Sequence, residues 1–282
     1  MPVILAVMNA HDRPDLLAAQ IRNYNAAMNG NVIHAVNINS KLEQQFWHSA
    51  KELNIDFQAF GNVMFNTPSV ETGYGSILHA YLQTIMHALR QDLKFDYVYF
   101  HTPADLLIRR DVDAYISSLD MGFSDAYEYP FDEKHHFTLH HGKDRWVGPM
   151  SLNSGLFRFL DSLGHPVAHR VRTEGAFFKR HIFFEVLYPL LLTNGIEYFH
   201  KAPEPYPFEE TELASCMEFF KKRHMIKRAR NLIRVVEDKQ VNGIDTDDVV
   251  DALKQHDIYG IKRPSNVLDS DVRRYIATLV GE

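Results

Sequence analysis

The chain has 282 residues, 45% of them hydrophobic and 12% aromatic, which is enough for one large α/β domain or two small ones. Its 30 lysines and arginines stand against 36 aspartates and glutamates, and this net charge of −6 gives no reason to expect nucleic-acid binding. The single cysteine, Cys216, excludes an internal disulfide and a zinc site built from several cysteines. Without a signal peptide or an apolar run of about 18 residues, we expect a soluble, cytoplasmic protein, with peripheral membrane contact left open.

The first part of the chain alternates strand-like and helix-like patterns. Apolar and β-branched runs predict strands, and apolar residues at helical spacing predict helices. The predicted strands are Val3–Met8, Val32–Ile38, Asp56–Val63 and a run that begins at Phe95, and the predicted helices run from Arg13 to about Met28, from Lys41 to Leu53 and from Ile77 to about Leu89. This order predicts an α/β fold with a doubly wound, mostly parallel sheet flanked by helices.

The remainder of the chain has a looser pattern. It is predicted to contain helices at Asp111–Leu119, Phe177–Leu192, Phe208–Arg234, Asp247–Gln255 and Asp269–Leu279, a strand-like piece at Asp125–Tyr129, a polar loop from Phe131 to Trp146 and a return to the core at Ser151–Phe159. We therefore predict one nucleotide-binding domain over residues 1–205 and a helical C-terminal extension, 206–282, packed on it.

The run from Phe95 to Ile108 is the central feature of the sequence. Its aromatic and β-branched start is typical of a buried strand, and Pro103 ends the strand because proline cannot donate to a sheet. Asp105 follows at once, and open α/β sheets bind their ligands at the carboxyl ends of such strands. Asp105 is therefore a candidate ligand-binding residue, and a role in capping a turn is the competing interpretation.

Polar residues also end the first two predicted strands, with Asn9 and His11 after the first and Asn37 at the end of the second. In a sheet of this order they face a nucleotide crevice. Neither G-x-G-x-x-G nor G-x-x-x-x-G-K-[ST] occurs, which argues against a dinucleotide fold and a P-loop. The segment Gly73–Ser76 is either a turn that begins a helix or a place where Gly75 and the Ser76 hydroxyl approach a ligand.

Two patterns suggest metal binding, but another interpretation is favoured for each. The histidines His135, His136, His140 and His141 lack metal-ligand spacing, so a polar acceptor-binding loop is favoured. Asp111 and Asp113 form a D-x-D, but they stand at a predicted helix start, where acids favour the helix dipole. Without a divalent ion, protein cations must stabilise a diphosphate. Lys262 and Arg263 are the candidates, and an ordinary solvated basic pair is the alternative.

Glu185 is the conspicuous acid of the apolar helix predicted at Phe177–Leu192. An apolar setting raises the pKa of a carboxyl group toward the range that a general base needs. A buried acid paired with an arginine, such as Arg180 or Arg172, is the alternative interpretation. Glu174 is the competing candidate base.

These residues resemble motifs of the GT-A fold glycosyltransferases, and within them the core-2/I-branching and peptide-xylosyltransferase-like enzymes. Gly73 to Ala80 resembles the family's W-G-G-x-S-x-x-x-A helix start, and Phe95 to Leu106 its F-D-Y-V-x-x-L-S-G-x-D-x-P-L strand. Glu185 to Tyr188 resembles its D-E-x-x-W-x-T helix, with Phe184 and Tyr188 as departures. Lys262-Arg263 matches more loosely a basic C-terminal element.

The resemblance implies an inverting transferase that moves a sugar of the xylose or N-acetylhexosamine class from a UDP-sugar to a glycan hydroxyl. Glu185 is then the base, Lys262 and Arg263 hold the diphosphate, and no cofactor or metal is needed. We predict that Asn9, His11, Asn37, Gly75, Ser76 and Asp105 hold the donor, and that His101, Trp146 and Tyr188 contact the acceptor. The alternatives are a metal-dependent GT-A transferase that uses Asp105 with a histidine, and a non-catalytic scaffold whose basic Lys221–Arg234 segment meets an anionic partner or membrane.

Overall fold

The fold is built from alternating strands and helices. The computed structural model describes residues 1–73, 76–103, 105–130, 136–138, 149–151, 154–195, 208–236 and 243–282. The first elements are β1 (Ile4–Ala10), α1 (Pro14–Ala27), β2 (Val32–Ile38), α2 (Glu43–Glu52), β3 (Val63–Phe65), α3 (Ile77–Arg90), β4 (Tyr97–Phe100), β5 (Asp105–Leu107) and α4 (Val112–Ser117). Then follow β6 (Met121–Gly122), β7 (Tyr127–Pro130), β8 (His136–Thr138), β9 (Pro149–Ser151), α5 (Ser154–Ser162), β10 (Val167–Arg170), β11 (Phe177–Lys179), α6 (Arg180–Asn194), α7 (Phe208–Arg223), β12 (Arg228–Ala229), β13 (Ile233–Arg234), α8 (Thr246–Leu253), β14 (Gly260–Lys262) and α9 (Asp271–Val280).

The central sheet has the strand order β12-β6-β11-β4-β1-β2-β3. Strands β1 to β4 are parallel to one another, and β11 runs antiparallel to β4 and β6. The predicted α/β fold with a mostly parallel sheet flanked by helices is therefore confirmed. Because β2 and β3 extend the sheet to one side of β1 and β4 lies on the other, the strand order reverses between β1 and β4. Ligands of open α/β sheets bind in the crevice at such a switch point.

The side chains of β4 alternate between two cores, as the two-residue period of a strand requires. Val98 and Phe100 pack into the core that contains residues of α3, α6 and α7. Tyr97 and Tyr99 pack into the opposite core, which contains residues of α1, α4 and β13. The two faces of the sheet are thus covered by different sets of elements, and a residue can be assigned to one face or the other.

A smaller sheet, β13-β14-β5, lies on the α1 face. Strand β14 is antiparallel to β5, with Lys262 opposite Asp105. Helix α1 completes the other side of β5, because Asn23 accepts from the Leu107 backbone N–H at 2.8 Å and donates to its carbonyl oxygen at 3.0 Å. A side-chain amide thus takes the place of a neighbouring strand for β5.

Three predicted elements are wrong. The segment Asp56–Val63 contains a short 3-10 turn at Gln58–Phe60, which ends at Gly61 with a φ of 72°, and the strand starts only at Val63. Phe177–Lys179 is a strand rather than a helix start because it pairs with Tyr97–Tyr99 of β4. The helix predicted over Phe208–Arg234 ends at Arg223, and β12 and β13 follow. The predicted helical extension, 206–282, therefore also contributes strands, and β12 joins the central sheet through β6.

The D-x-D pair lies at the start of α4, away from the carboxyl end of β4. Asp111 occupies the residue before the helix, with a φ of 59°, but makes no capping hydrogen bond. Both carboxylates instead accept from Asn29, each at 3.1 Å, and Asp113 also accepts from Asn31 at 2.7 Å. The pair anchors the turn between α1 and β2. None of the helices in the described ranges combines the length and hydropathy needed to cross a membrane.

Candidate functional site

Asp105 begins β5 immediately after the turn that ends β4, and its side chain is fully buried. Its carboxylate accepts the backbone N–H of Thr102 at 2.8 Å and the Thr102 hydroxyl at 2.9 Å. From α1, Gln20 donates to the carbonyl oxygens of Thr102 at 2.6 Å and Asp105 at 2.7 Å. Asp105 thus closes a turn, as one interpretation of the sequence predicts. It also lies at the carboxyl end of β4, as the ligand-binding interpretation requires.

Lys262 and Glu174 lie beside Asp105. Lys262, on the neighbouring strand β14, forms an ion pair with Glu174, and their side chains are only 10% and 13% exposed. Glu174 lies in the turn before β11, where Asn231 donates to its carbonyl oxygen at 3.0 Å. Three ionisable groups from separate parts of the sequence are therefore brought together in a nearly dry environment. Such clusters are candidate functional sites because their protonation states differ from those in water.

The two carboxylates have pKa values shifted in opposite directions. Burial raises the pKa of Asp105 to about 7, with the nearby Glu174 charge adding to the effect and Lys262 opposing it. Burial also raises the pKa of Glu174, but the charge and hydrogen bond of Lys262 outweigh it, so the net pKa lies below the ordinary value. At neutral pH the cluster therefore holds an ionised Glu174 next to a carboxyl group that is partly protonated.

Buried acceptor atoms without a donor lie beside this cluster, and another lies at the end of β1 on the α3 face of the sheet. In the described part of the chain, Oε2 of Glu174, Oε1 of Gln20 and Oδ1 of Asn9 have no hydrogen-bond partner. Glu174 and Gln20 flank Asp105, and Asn9 lies at the end of β1, across the switch point from β4. Each unpaired buried acceptor costs about 1–3 kcal/mol unless something donates to it. The arrangement suits a ligand that brings several O–H or N–H groups.

A layer of buried aromatic rings lies on the same face of the sheet. The ring centroid of His101 is 4.6 Å from that of Tyr24 and 5.8 Å from that of Tyr99. Burial holds the pKa of His101 well below its ordinary value, so the ring is neutral. His101 is completely buried, and this geometry does not support its predicted contact with an acceptor. Its ring instead packs beneath the β4–β5 turn.

The first strand ends as predicted, at the crevice. Asn9 is 6% exposed and donates to the carbonyl oxygen of Ile77, at the start of α3, at 3.5 Å. His11 follows β1 and is exposed. Both residues lie at the carboxyl end of β1, and their contact with a nucleotide stays a prediction.

Asn37 and Ser76 are occupied by the chain itself. The Asn37 side chain accepts from the Val70 backbone at 2.8 Å and from Asn66 at 3.1 Å, and it donates to the Val70 carbonyl oxygen at 3.0 Å. The Ser76 hydroxyl bonds to the backbone N–H of Gly73 at 2.8 Å and to its carbonyl at 3.2 Å. Asn37 therefore holds the segment after β3, and Ser76 closes the turn before α3. Their predicted contact with the donor is not supported by this geometry.

Glu185 and Tyr188 are exposed on α6. Helix α6 packs its Phe183, Val186 and Leu187 into the core on the α3 face of the sheet, whereas β5 and β13 belong to the α1 face. Glu185 is thus separated from Asp105 and Lys262 by the sheet. The interpretations of Glu185 as a buried general base and of Tyr188 as an acceptor contact of the same site are both wrong.

The other predicted positions add little to the site. Arg263 is exposed and left-handed, with a φ of 59°, next to Lys262. Gly75 and Trp146 lie outside the described residues, and so does the predicted polar loop from Phe131 to Trp146 except for the three residues of β8. Within the described ranges, no group of three potential ligands is arranged to hold a metal ion. Phosphate binding without a metal stays a prediction.

Sequence reasoning missed Gln20 and Asn23, whose amides hold the β4–β5 turn and β5. Both belong to the apolar-periodic helix α1 and are 1% exposed. A polar residue on the buried face of an amphipathic helix was the available signal, because buried amides need partners. The pattern could not name those partners, which lie more than 80 residues further along the chain.

The comparisons with known proteins give a distant structural likeness only. No model of a known protein family matches the chain, and no curated protein matches it. A nucleoside-diphosphate-sugar pyrophosphorylase from Vibrio cholerae RC9 has 8% identity and a TM-score of 0.39, over 81% of this chain and 91% of that one. An inositol-1-phosphate CTP transferase from T. maritima also has 8% identity and a TM-score of 0.39, over 99% of this chain and 97% of that one.

The predicted function, an inverting sugar transfer to a glycan with Glu185 as base, is wrong. Glu185 is exposed on the face of the sheet opposite the Asp105–Lys262–Glu174 cluster, so it cannot act on a substrate held there. The resemblance to the GT-A glycosyltransferases stays a prediction.

Proposed function

We propose that this chain is an enzyme that binds a nucleotide or a nucleotide-linked sugar at the carboxyl edge of β1 and β4 and transfers a group of that substrate. The observation that carries the proposal is the set of unpaired buried acceptors at this edge, on Asn9, Gln20 and Glu174. A nucleoside offers the donors they lack, namely the ribose hydroxyls and the N–H groups of the base.

The charges of the cluster fit the phosphate part of such a substrate. Lys262 is one of the cations nearest to Asp105, and its ion pair with Glu174 fixes it in position. Arg263 is the next residue and is exposed. A fixed cation beside an exposed one provides a site for a group with two or more negative charges. Binding by these side chains needs no divalent ion.

Asp105 is the group that we assign to proton transfer. A general acid or base works best when its pKa lies near the working pH, and burial raises the pKa of Asp105 to about 7. Glu174 fixes Lys262 and, through its charge, contributes to this raised pKa. The two carboxylates thus have separate roles, set by their different surroundings.

Titration calorimetry with UDP, CDP, GDP, ADP and UDP-sugars tests the binding step, with and without a chelator. We expect one nucleotide to bind in both conditions, and Lys262→Met to weaken that binding by about tenfold or more. Lys254→Met is the matched control, because Lys254 is 70% exposed and pairs with Asp251 on α8, away from the site. If Lys262→Met unfolds the protein by leaving Glu174 unpaired, the double variant with Glu174→Gln removes that cause.

Phosphorus NMR of the bound nucleotide-sugar then tests the chemistry. Transfer of any group to or from the phosphates changes the phosphorus spectrum with time. We expect such turnover to follow an apparent pKa near 7 that disappears in Asp105→Asn. A wild-type chain that binds none of the nucleotides at millimolar concentration, or Lys262→Met and Lys254→Met variants of equal affinity, contradicts the proposal.

A further inference from the structure

An exposed apolar surface lies on the face of the molecule opposite the candidate site. Tyr188 and Leu192 are one helical turn apart on α6 and are 60% and 54% exposed. Met225, just beyond the end of α7, is fully exposed. Exposed apolar side chains scattered singly need no explanation, but a contiguous group marks an interaction surface.

A groove lies between α6 and α7, and Tyr188 lines it. Its cavity of about 400 Å³ is lined by aromatic and aliphatic side chains, among them Phe184, Tyr188, Phe219 and Phe220, and by His224, the residue before Met225. Tyr188 therefore belongs both to the exposed stripe of α6 and to the wall of the groove. Glu185 lies at the same groove.

Cations lie at one end of the apolar surface, beside Met225. The last turn of α7 carries Lys221, Lys222 and Arg223, and Lys227 follows in the next loop. Glu218 neutralises Lys221 at 2.9 Å, whereas the nearest carboxylate to Lys222 is 3.8 Å away. Within the described residues, Arg223 and Lys227 form no ion pair, and the Arg223 guanidinium lies 4.5 Å over the ring of Phe219. Arg223 donates to the Leu163 carbonyl oxygen, Asp120 lies near Lys227, and Glu185 lines the groove, so the positive charge at this end of the groove is partly balanced.

We propose that this surface binds an anionic lipid bilayer. Leu192, Tyr188 and Met225 enter the headgroup–acyl boundary, and Lys222, Arg223 and Lys227 contact the lipid phosphates. Exposed aliphatic and aromatic side chains next to Lys and Arg are the combination that interfacial binding uses, and the cluster of cations favours anionic over neutral lipid. The candidate site remains on the far side of the sheet, so the proposal is independent of the proposed function.

Vesicle co-sedimentation with the full chain tests the proposal. We expect binding to phosphatidylcholine vesicles that contain about 30% phosphatidylglycerol, much weaker binding to pure phosphatidylcholine, and loss of binding at high salt. The double variants Leu192→Ser/Met225→Ser and Arg223→Gln/Lys227→Gln should each lower the partition coefficient by about tenfold or more. Val267→Ser/Leu268→Ser and Lys254→Gln are the matched controls, because these residues are also exposed and lie elsewhere on the molecule.

The outcomes separate the occupants of the surface. No binding to anionic vesicles, or equal loss of binding in the patch and control variants, overturns the proposal. A dimer in light scattering that dissociates in Leu192→Ser/Met225→Ser also overturns it, because the surface would then be covered by a second copy of the chain. The thermal unfolding midpoint of every variant confirms that it is folded before binding is compared.

Discussion

The buried carboxyl group of Asp105 predicts an unusual dependence of stability on pH. Its pKa is raised from 3.8 to about 7, so between these values the folded protein keeps a proton that the unfolded chain has released. The free energy of unfolding contributed by this group is therefore largest below the unfolded pKa and falls as the pH rises toward 7. The Asp105→Asn variant cannot release a proton at this position, so its free energy of unfolding should lack this decline with pH.

The size of the effect follows from the shift. About three pKa units correspond to about 4 kcal/mol between pH values well below 4 and well above 7. Over the narrower window from about pH 5 to pH 7, wild type should lose about 2 kcal/mol relative to Asp105→Asn. The variant also loses one of the two hydrogen bonds from Thr102, a constant offset of about 1 kcal/mol. Glu174, whose pKa is lowered from 4.5, contributes below this window.

Urea unfolding at several pH values between 5 and 8 measures the difference directly. The free energy of unfolding of Asp105→Asn should rise relative to wild type across this range. Asp120→Asn is the control, because a hydrogen bond from Lys179 holds the pKa of Asp120 below its ordinary value, so it is ionised throughout. Its difference from wild type should stay constant. Parallel profiles for Asp105→Asn and wild type would show that Asp105 is ionised at pH 5 and refute the reasoning.

Three further predictions concern positions around the two faces of the sheet. Gly175→Ala should lower the free energy of unfolding by about 3 kcal/mol or more, because the φ of Gly175 is 79° and the new Cβ would lie 2.6 Å from the backbone nitrogen of Ile233. Gly164 has the same φ but open space around it, so Gly164→Ala should cost about 1 kcal/mol in the same unfolding assay. Glu185→Gln should leave nucleotide affinity by calorimetry unchanged, and a tenfold loss would return Glu185 to the site. The Cys216 thiol is completely buried, and burial raises its pKa. Cys216 should therefore react with a thiol reagent only after the protein unfolds. Rapid labelling of the native protein would contradict its position in the core.

The main sheet could be predicted because local pattern and tertiary structure agree there. Val32–Ile38 is a strand with the predicted bounds, since a mostly apolar run between turn residues fits a strand that is covered on both faces. The position of Asp105 after the central strand was also readable, because Pro103 ends the run. These features depend on the order of residues within a few positions of each other.

The rest of the site could not be predicted because it depends on distant partners. Phe177–Lys179 is a strand only because Tyr97–Tyr99 offers it a pairing edge, and its apolar sequence fits a buried helix equally well. The three residues of β14 form a strand because β5 lies beside them, and only this pairing brings Lys262 to Asp105. Glu185 was misassigned because its neighbours Val186 and Leu187 face the core, whereas the Glu185 side chain itself points to the solvent.

The residues of the Asp105–Lys262–Glu174 cluster indicate that it has a role other than stabilising the fold. A buried ion pair such as Glu174–Lys262 is often no more stable than apolar residues of the same volume, and removing one partner is strongly destabilising. Adding Asp105 beside it increases the cost, because Glu174 and burial both oppose its ionisation. Stability alone gives no reason to place these three groups together, with an unpaired acceptor on Glu174, next to the point where the strand order reverses. Local choices that conflict with stability are expected where a protein binds or transforms a ligand.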